Sequence, residues 1–270
     1  MPLIHTIDHP VVEGIRVGRV GPKGKYRINT TCIVYRLGDT IIDTGPTKEW
    51  QTVKQFLEAR KVRQALLTHY HEDHSGNCGH IQACFNSVIH SHKNNHKKLA
   101  SGFRLNFSSK HIFGEISFAD AQSFPDELPL DNGLSLKALH MPGHSSDMTT
   151  LYEPNEGWLF SGDLYVSSQV RYAHREENVS EQIQSLQAAV ALDFESLFCA
   201  HRGFLVDGKQ ALQNKLDFLV SLQQEVQHLY AKGWSVSAIR RKLLGREDTV
   251  ALFSGFDMSK NHLIQACLKP

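Results

Sequence analysis

Thr68-His69-Tyr70-His71-Glu72-Asp73-His74-Ser75-Gly76 follows directly on a short apolar run, Ala65–Leu67. Three histidines and an aspartate fall within six residues of it. His69 and His71 stand two positions apart, so an extended backbone points both side chains to one side. Asp73 and His74 are expected to project from the turn that follows, with a helix beginning near Ser75. Such a loop delivers four nitrogen and oxygen donors into one small volume. That donor set suits zinc, with Zn–N of about 2.0–2.1 Å and Zn–O of about 2.0–2.2 Å.

Four donors are enough to close one structural site, but three more stand further along the chain. His144 lies in Met141-Pro142-Gly143-His144-Ser145, Asp163 in Phe160-Ser161-Gly162-Asp163, and His201 in Cys199-Ala200-His201-Arg202-Gly203. Each follows an apolar, strand-like run and sits beside glycine, the residue that lets a backbone turn sharply next to a site. The strand-like runs are Thr31–Tyr35, Thr40–Ile42, Ala65–Leu67, Leu134–Leu139, Thr149–Tyr152, Trp158–Phe160 and Leu197–Cys199. Helical spacing marks 47–60 through Trp50, Val53, Phe56 and Leu57. It marks 179–191 through Ile183, Leu186 and Val190, with Ser180 as the expected N-cap.

The last stretch is different in character. Leu212, Leu216, Leu219, Val226 and Leu229 trace a long amphipathic helix expected to stop at Gly233, followed by helices over 235–244 and 259–268. Alternating strands and helices closed by a helical tail give an α/β layered domain with a C-terminal appendage. The division is expected at 1–205 for the catalytic domain and 206–270 for the helical extension. No internal repeat and no low-complexity linker interrupts it.

Composition narrows the function. A chain of 270 residues buries enough surface to fold without disulfides. The 29 basic and 28 acidic residues leave a net charge of +1, which argues against a broad polycationic surface. Histidine is the anomaly: eight of sixteen fall between His69 and His111, and this side chain is the commonest metal ligand. The five cysteines, Cys32, Cys78, Cys84, Cys199 and Cys267, form no CxxC pair, so neither a disulfide framework nor a thiolate zinc finger is indicated. The N-terminal stretch MPLIHTIDHPVVEG lacks a basic region and carries Asp8 and Pro10 where a leader needs an apolar core. No apolar run reaches the length of a membrane span. The expected compartment is the cytoplasm.

The order HxHxDH, Gly-His, Ser-Gly-Asp and a late His resembles the metallo-β-lactamase superfamily over residues 31–203. Asp43-Thr44-Gly45 resembles its early strand-end motif. The resemblance implies an αββα sandwich with metals held at one edge between two sheets. It implies one metal on His69, His71 and His144, a second on Asp73, His74 and His201, and Asp163 bridging them. Asp43 would hydrogen-bond beside the metal loop, and His140 matches no position. The implied cofactor is two zinc ions per chain, with iron or manganese as the other metals to consider. Two such ions share a water and lower its pKa toward about 7, which implies hydrolysis, with Asp73 orienting the nucleophile and passing a proton to the leaving group.

Fold and metals do not choose the substrate. His71 stands where oxygen-reducing iron members carry glutamate, which favours zinc and hydrolysis. The length, the HxHxDHSG form and the helical tail look most like the glyoxalase II and lactamase-like hydrolases, so a small ester or thioester is the expected substrate. A lactonase, a metal-dependent ribonuclease or phosphodiesterase, and a mononuclear-iron persulfide dioxygenase are the alternatives. Nucleases of the superfamily usually carry a large insert or a basic arm, and neither is evident. The basic stretches His92–Lys98 and Lys232–Arg246 read as solvated helix faces, the second with Ile239, Leu243 and Leu244 buried. A basic helix near the site would equally suit an anionic small molecule. Glyoxalase II holds glutathione carboxylates with such residues, a pattern that has no residue-by-residue match here.

Arg171, Tyr172, His174 and Arg175 are candidates for substrate contact, and Tyr165 for a phenol donor to an oxyanion. Asp43-Thr44-Gly45 also resembles the tripeptide of aspartic proteases, where two carboxylates share a proton; one copy per chain would then require dimerisation through the site. The expected partner is a small-molecule substrate; nucleic acid is disfavoured but stays open as an alternative, no membrane is indicated, and the chain is either a monomer or a homodimer.

Overall fold

Apolar residues of the central strands alternate between two different cores, and that alternation sets the layering. The computed structural model describes residue 7, residues 9–18 and residues 30–270. Residues 1–6 and 8 of the N-terminal stretch read above for a leader lie outside them. A first sheet of six strands runs in chain order through β1 (Glu13–Val17), β2 (Cys32–Leu37), β3 (Thr40–Ile42), β4 (Gln64–Leu66), β5 (Val88–Ser91) and β6 (Ala121–Ser123). The β1–β2 and β2–β3 pairs are antiparallel, whereas β3 to β6 run parallel. Parallel neighbours need crossovers, and these carry α1 (Trp50–Leu57), α2 (Glu72–Ser75), α3 (Cys78–Phe85), α4 (His96–Ser101) and α5 (Phe107–Phe113).

The second sheet begins with β7 (Leu128–Pro129), β8 (Ser135–His140), β9 (Thr149–Glu153) and β10 (Trp158–Gly162). The chain then makes a short strand, β11 (Ala173–His174), and α6 (Val179–Val190), and returns as β12 (Ser196–Cys199) and β13 (Gly203–Leu205). The spatial order is β13-β12-β10-β9-β8-β7. Helices α7 (Gly208–Ala231), α8 (Val236–Leu243), α9 (Thr249–Phe253) and α10 (Lys260–Ala266) follow, with β14 (Met258–Ser259) pairing antiparallel to β11.

Every residue of β2 is buried. Ile33, Tyr35 and Leu37 join Leu151, Phe160 and Phe198 in the core between the sheets. Cys32 and Val34 face the other way, onto Val53, Leu57, Ile81 and Leu99 of the first helical layer. In the second sheet Phe160 and Phe198 point inward, while Leu159, Leu197 and Cys199 meet Leu186, Leu212 and Leu219 of α6 and α7. Strands buried on both faces read as continuous apolar runs, and the result is the αββα sandwich that the motifs implied. Helices α7, α8 and α10 share one apolar cluster with the outer face of the second sheet.

Several boundaries differ from the sequence reading. The cap of α6 is Asn178, whose side chain accepts from the amides of Ser180 and Glu181, so Ser180 sits inside the first turn. The segment 47–60 is a short 3-10 turn, Thr47–Glu49, leading into α1. In the second basic stretch Ile239 is buried, whereas Leu243 and Leu244 are only partly so.

Strand direction places the site. β8 and β10 are each antiparallel to β9, and β10 is parallel to β12, so β8, β10 and β12 share one direction. Their carboxyl ends meet those of β3 and β4 across the sandwich. Hydrogen bonds from Thr149 N to Thr68 O at 2.8 Å and from Ile33 N to Ala200 O at 2.7 Å tie the sheets together there.

Candidate metal centre

Each expected ligand stands at that edge. His69 and His71 follow the end of β4, and the one-turn helix α2 carries Asp73 and His74. The helix thus starts at Glu72, earlier than expected near Ser75, and its first turn aims both side chains into the site. The side-chain amide of Asn77 donates to the carbonyls of Thr44, Gly45 and Pro46 and pins the segment after α2 to the end of β3. His144 lies in the β8–β9 connection, Asp163 directly after β10, and His201 in the turn after β12.

Two glycines make these turns possible. Gly143 has φ +126°, and a Cβ there would lie 2.8 Å from Gln182 Cα; Gly162 has φ +48°, and a Cβ would lie 2.7 Å from Thr68 Cβ. No real side chain fits either position.

The donors converge as two groups. His69 Nε2 and His144 Nε2 each lie 3.0 Å from His71 Nδ1. His74 Nε2 lies 3.6 Å from Asp73 Oδ2, and His201 Nε2 lies 3.8 Å from the same oxygen. Asp163 stands between the groups: Oδ1 is 3.0 Å from His201 Nε2 and 3.4 Å from His74 Nε2, while Oδ2 is 3.6 Å from His144 Nε2. Within each of the sets His69/His71/His144, His69/His74/Asp163 and Asp73/His74/His201, ligand atoms lie within 4.8 Å of one another.

The far nitrogen of each ring has its own acceptor, which fixes the tautomer that leaves a lone pair for a metal. His74 Nδ1 donates to Asp43 Oδ2 at 2.8 Å, His201 Nδ1 to Thr31 O at 2.7 Å, and His71 Nε2 to Glu176 Oε1 at 3.0 Å. His144 Nδ1 faces Glu177 Oε1 at 3.6 Å, and His69 Nδ1 meets Thr68 Oγ1 at 3.0 Å. Asp43 therefore acts as an outer partner and not as one of an aspartic pair.

Electrostatics agree with a cation site. Burial, reinforced by the neighbouring histidines, pushes His69 well below the usual imidazole range. Burial also lowers His74 and His201, but Asp73 and Asp163 outweigh it and lift them to about 9 and about 10. Burial raises Asp163, yet His201 and His74 bring it well below the usual carboxylate range. His74 Nε2 is fully buried with no hydrogen-bond partner among the described residues, a costly state that a metal bond removes. Five imidazoles and two carboxylates around one small space fit zinc chemistry.

A pocket of about 690 Å³ opens over His71. His174 lines it, its ring 5.1 Å from that of His71. Burial lowers His174, but Asp257 at 3.3 Å and Glu177 carry it to about 9. Arg175 is also in the lining. Tyr172 instead donates to Asp248, Arg171 is exposed outside the lining, and Tyr165 packs into the apolar cluster under α6 and α7. The structure adds Tyr70, Glu176 and Glu177, and from distant segments Phe103, Phe107 and Phe256. Glu176 had a sequence signal, since it directly follows the Arg171–Arg175 stretch; the phenylalanines had none.

The sequence matches the family model described as metallo-beta-lactamase superfamily over residues 24–201. The lactamase-like protein aptB of Emericella nidulans is 25% identical over 236 residues, covering 86% of this chain and 68% of that protein. An atrochrysone carboxyl ACP thioesterase of Aspergillus fumigatus is 25% identical over 78% of this chain and 64% of its own length. A hydroxyacylglutathione hydrolase of Bdellovibrio bacteriovorus is 27% identical over 45% of this chain and 40% of its own length. Among solved structures, a metallo-beta-lactamase family protein from Thermus thermophilus superposes with a TM-score of 0.70 at 16% identity, covering 95% of this chain and 93% of that one.

Proposed function

The chain belongs to the metallo-β-lactamase superfamily, and from that premise we propose that it is a dinuclear zinc hydrolase acting on an ester or thioester. The observation that carries the reading is the pair of converging donor sets joined through Asp163. The thioesterase and glutathione-thioester relatives support the substrate class. Residues 1–205 carry the chemistry on this reading, and 206–270 complete the pocket through Gly255, Phe256 and Asp257.

One metal would sit on His69, His71 and His144, the other on Asp73, His74 and His201, with Asp163 shared. Metals bound there supply Lewis acidity and a water that deprotonates near neutral pH. The protein does the rest. Asp73, whose side chain is partly exposed, takes a proton on the carboxylate oxygen not engaged with the donor group and returns it to the leaving group. Protonated His174 offers a cationic donor beside the site, and Arg175 and Arg104 at the mouth suit an anionic portion of a small-molecule substrate. Among the described residues no helix is long and apolar enough to cross a membrane.

Initial rates at neutral pH on a glutathione thioester, a lactone, a β-lactam and a phosphodiester test this, with Asp73→Ala as control. Thioester or lactone turnover abolished in the control supports the reading. Turnover of the phosphodiester alone sinks it and moves the protein to the nucleases.

A further inference from the structure

We propose that the pocket beside His71 receives a flat aromatic acyl group, with Phe107 and Phe256 as its specificity-determining residues. This deepens the hydrolase reading and rests on it. A volume of about 690 Å³ suits a ligand of drug size and far exceeds what a two- or three-carbon acid fills. His71 and His174 belong to the same lining, with Glu176, the partner of His71 Nε2, so whatever occupies the pocket lies next to one of the metal-site histidines.

Four aromatic side chains stand in the walls among charged and polar ones, and they come from segments far apart in sequence. Phe103 and Phe107 stand before and at the start of α5, Phe256 stands in the turn after α9, and Tyr70 lies in the metal loop. Phe103 meets Tyr70 edge to face, with ring centroids 4.8 Å apart. Phe107 is 85% exposed and Phe256 50% exposed. Bare rings gathered on one concave rim mark a binding surface, unlike apolar residues scattered singly.

Phe256 also adopts φ +61°, a left-handed conformation that bulky side chains avoid. Gly255 beside it has φ +62°, and Phe256 N donates to Ala251 O at 2.7 Å, which locks the turn. Packing alone gives no reason for a strained phenylalanine whose ring is half exposed; strain held at a pocket rim points to function. Ser108 Oγ donates to Phe253 O and ties the α5 wall to the α9 turn, so the two segments that carry the rings are joined. Aromatic faces favour a planar π partner, through offset stacking or edge contact, over a saturated chain of similar area.

The test uses the full chain loaded with zinc and two readouts. Calorimetry compares 2-naphthoate with hexanoate, and rates compare their N-acetylcysteamine thioesters. The expected result is a preference of about tenfold or more for naphthyl in both Kd and kcat/KM. Phe107→Ala and Phe256→Gly should each reduce that preference without lowering Tm, because one ring is exposed and the other change relieves backbone strain. Phe107→Trp should retain it. Equal binding of the two acids, or a preference untouched by both variants, overturns the proposal. Hydrolysis of both thioesters without preference overturns the aromatic site and leaves the hydrolase reading standing. A naphthyl binding preference with no hydrolysis of either thioester does the reverse.

Discussion

The Asp43 carboxylate accepts a hydrogen bond from His74 Nδ1 at 2.8 Å while its other oxygen accepts from Thr68 N at 2.8 Å. One side chain thus fixes both the metal loop and the orientation of a ligand ring. Asp43 reaches this position only at φ +58°, which short polar residues tolerate better than others. Asp43→Asn keeps the size and the backbone preference but removes the charge. The expected outcome is a loss of metal affinity of about 10–100-fold, read by competition with a chromophoric chelator. Unchanged affinity would mean that the contact only packs the loop.

Among the described residues, Asp163 is the carboxylate placed between both donor groups, within 3.6 Å of His144, His74 and His201. Asp163→Ala should therefore change stoichiometry and not simply affinity. On the proposed dinuclear reading, metal analysis after dialysis is expected to fall from two equivalents toward one. A variant that still retains two would show that the groups hold their ions independently.

Removal of metal should destabilise the whole domain, since the ligands join β4, β8, β10 and β12. Binding to the folded state at a hundredfold excess over Kd contributes about 2.7 kcal/mol, or a Tm shift of about 5–10 °C for a chain of this size. Thermal unfolding with and without EDTA, followed by zinc readdition, measures it. No shift on chelation would mean that the donors hold no ion in the purified protein.

How much of this is legible in the sequence follows from where the signal lies. His69, His71, Asp73 and His74 stand out because these donors sit on one short segment, and a short segment leaves its spacing in the sequence. His144, Asp163 and His201 are legible through the glycines their sharp turns require. The pocket walls are not, because Phe107 and Phe256 are far apart in the chain and a lone phenylalanine carries no pattern. Tyr172 is near Asp163 in sequence, yet it turns away from the metal edge to Asp248. The cap of α6 lies two residues before the expected Ser180 because Asn178 and Ser180 are both good caps, and only the backbone decides between them.

The contact of Asp248 with Tyr172 and Lys260 gives a pH-dependent prediction away from the metals. Partial burial pushes the Asp248 carboxyl up, but hydrogen bonds from Tyr172 and Lys260 hold it below the usual range. A depressed carboxyl stabilises the fold above the unfolded pKa of about 3.9, and the contribution is lost as pH falls through the lower folded value. Asp248→Asn preserves the acceptor that caps α9 through Val250 N at 3.1 Å. Because the group is well exposed, the expected loss near neutrality is only about 0.5–1 kcal/mol. Urea unfolding of chelated protein should show this gap at pH 7 and its closure as the pH drops below about 4. A gap of the same size in acid would assign it to packing.

Lys215 supplies the last prediction, because α7 reaches under the metal edge through it. The side chain is 4% exposed and Nζ donates to Leu164 O at 2.7 Å. Leu164 immediately follows Asp163 and closes a turn by donating to Ser161 O at 3.0 Å, so the lysine holds that turn from below. Burial lowers its pKa, while Glu177 and Asp163 act in the opposite sense. Lys215→Met keeps the apolar stem and leaves the carbonyl without this donor, at a cost of about 1–3 kcal/mol. Urea unfolding of the chelated variant measures that term alone. If the lysine also aligns Asp163, the metal-loaded variant loses affinity in addition, whereas a purely structural lysine leaves the chelator competition curve where it was.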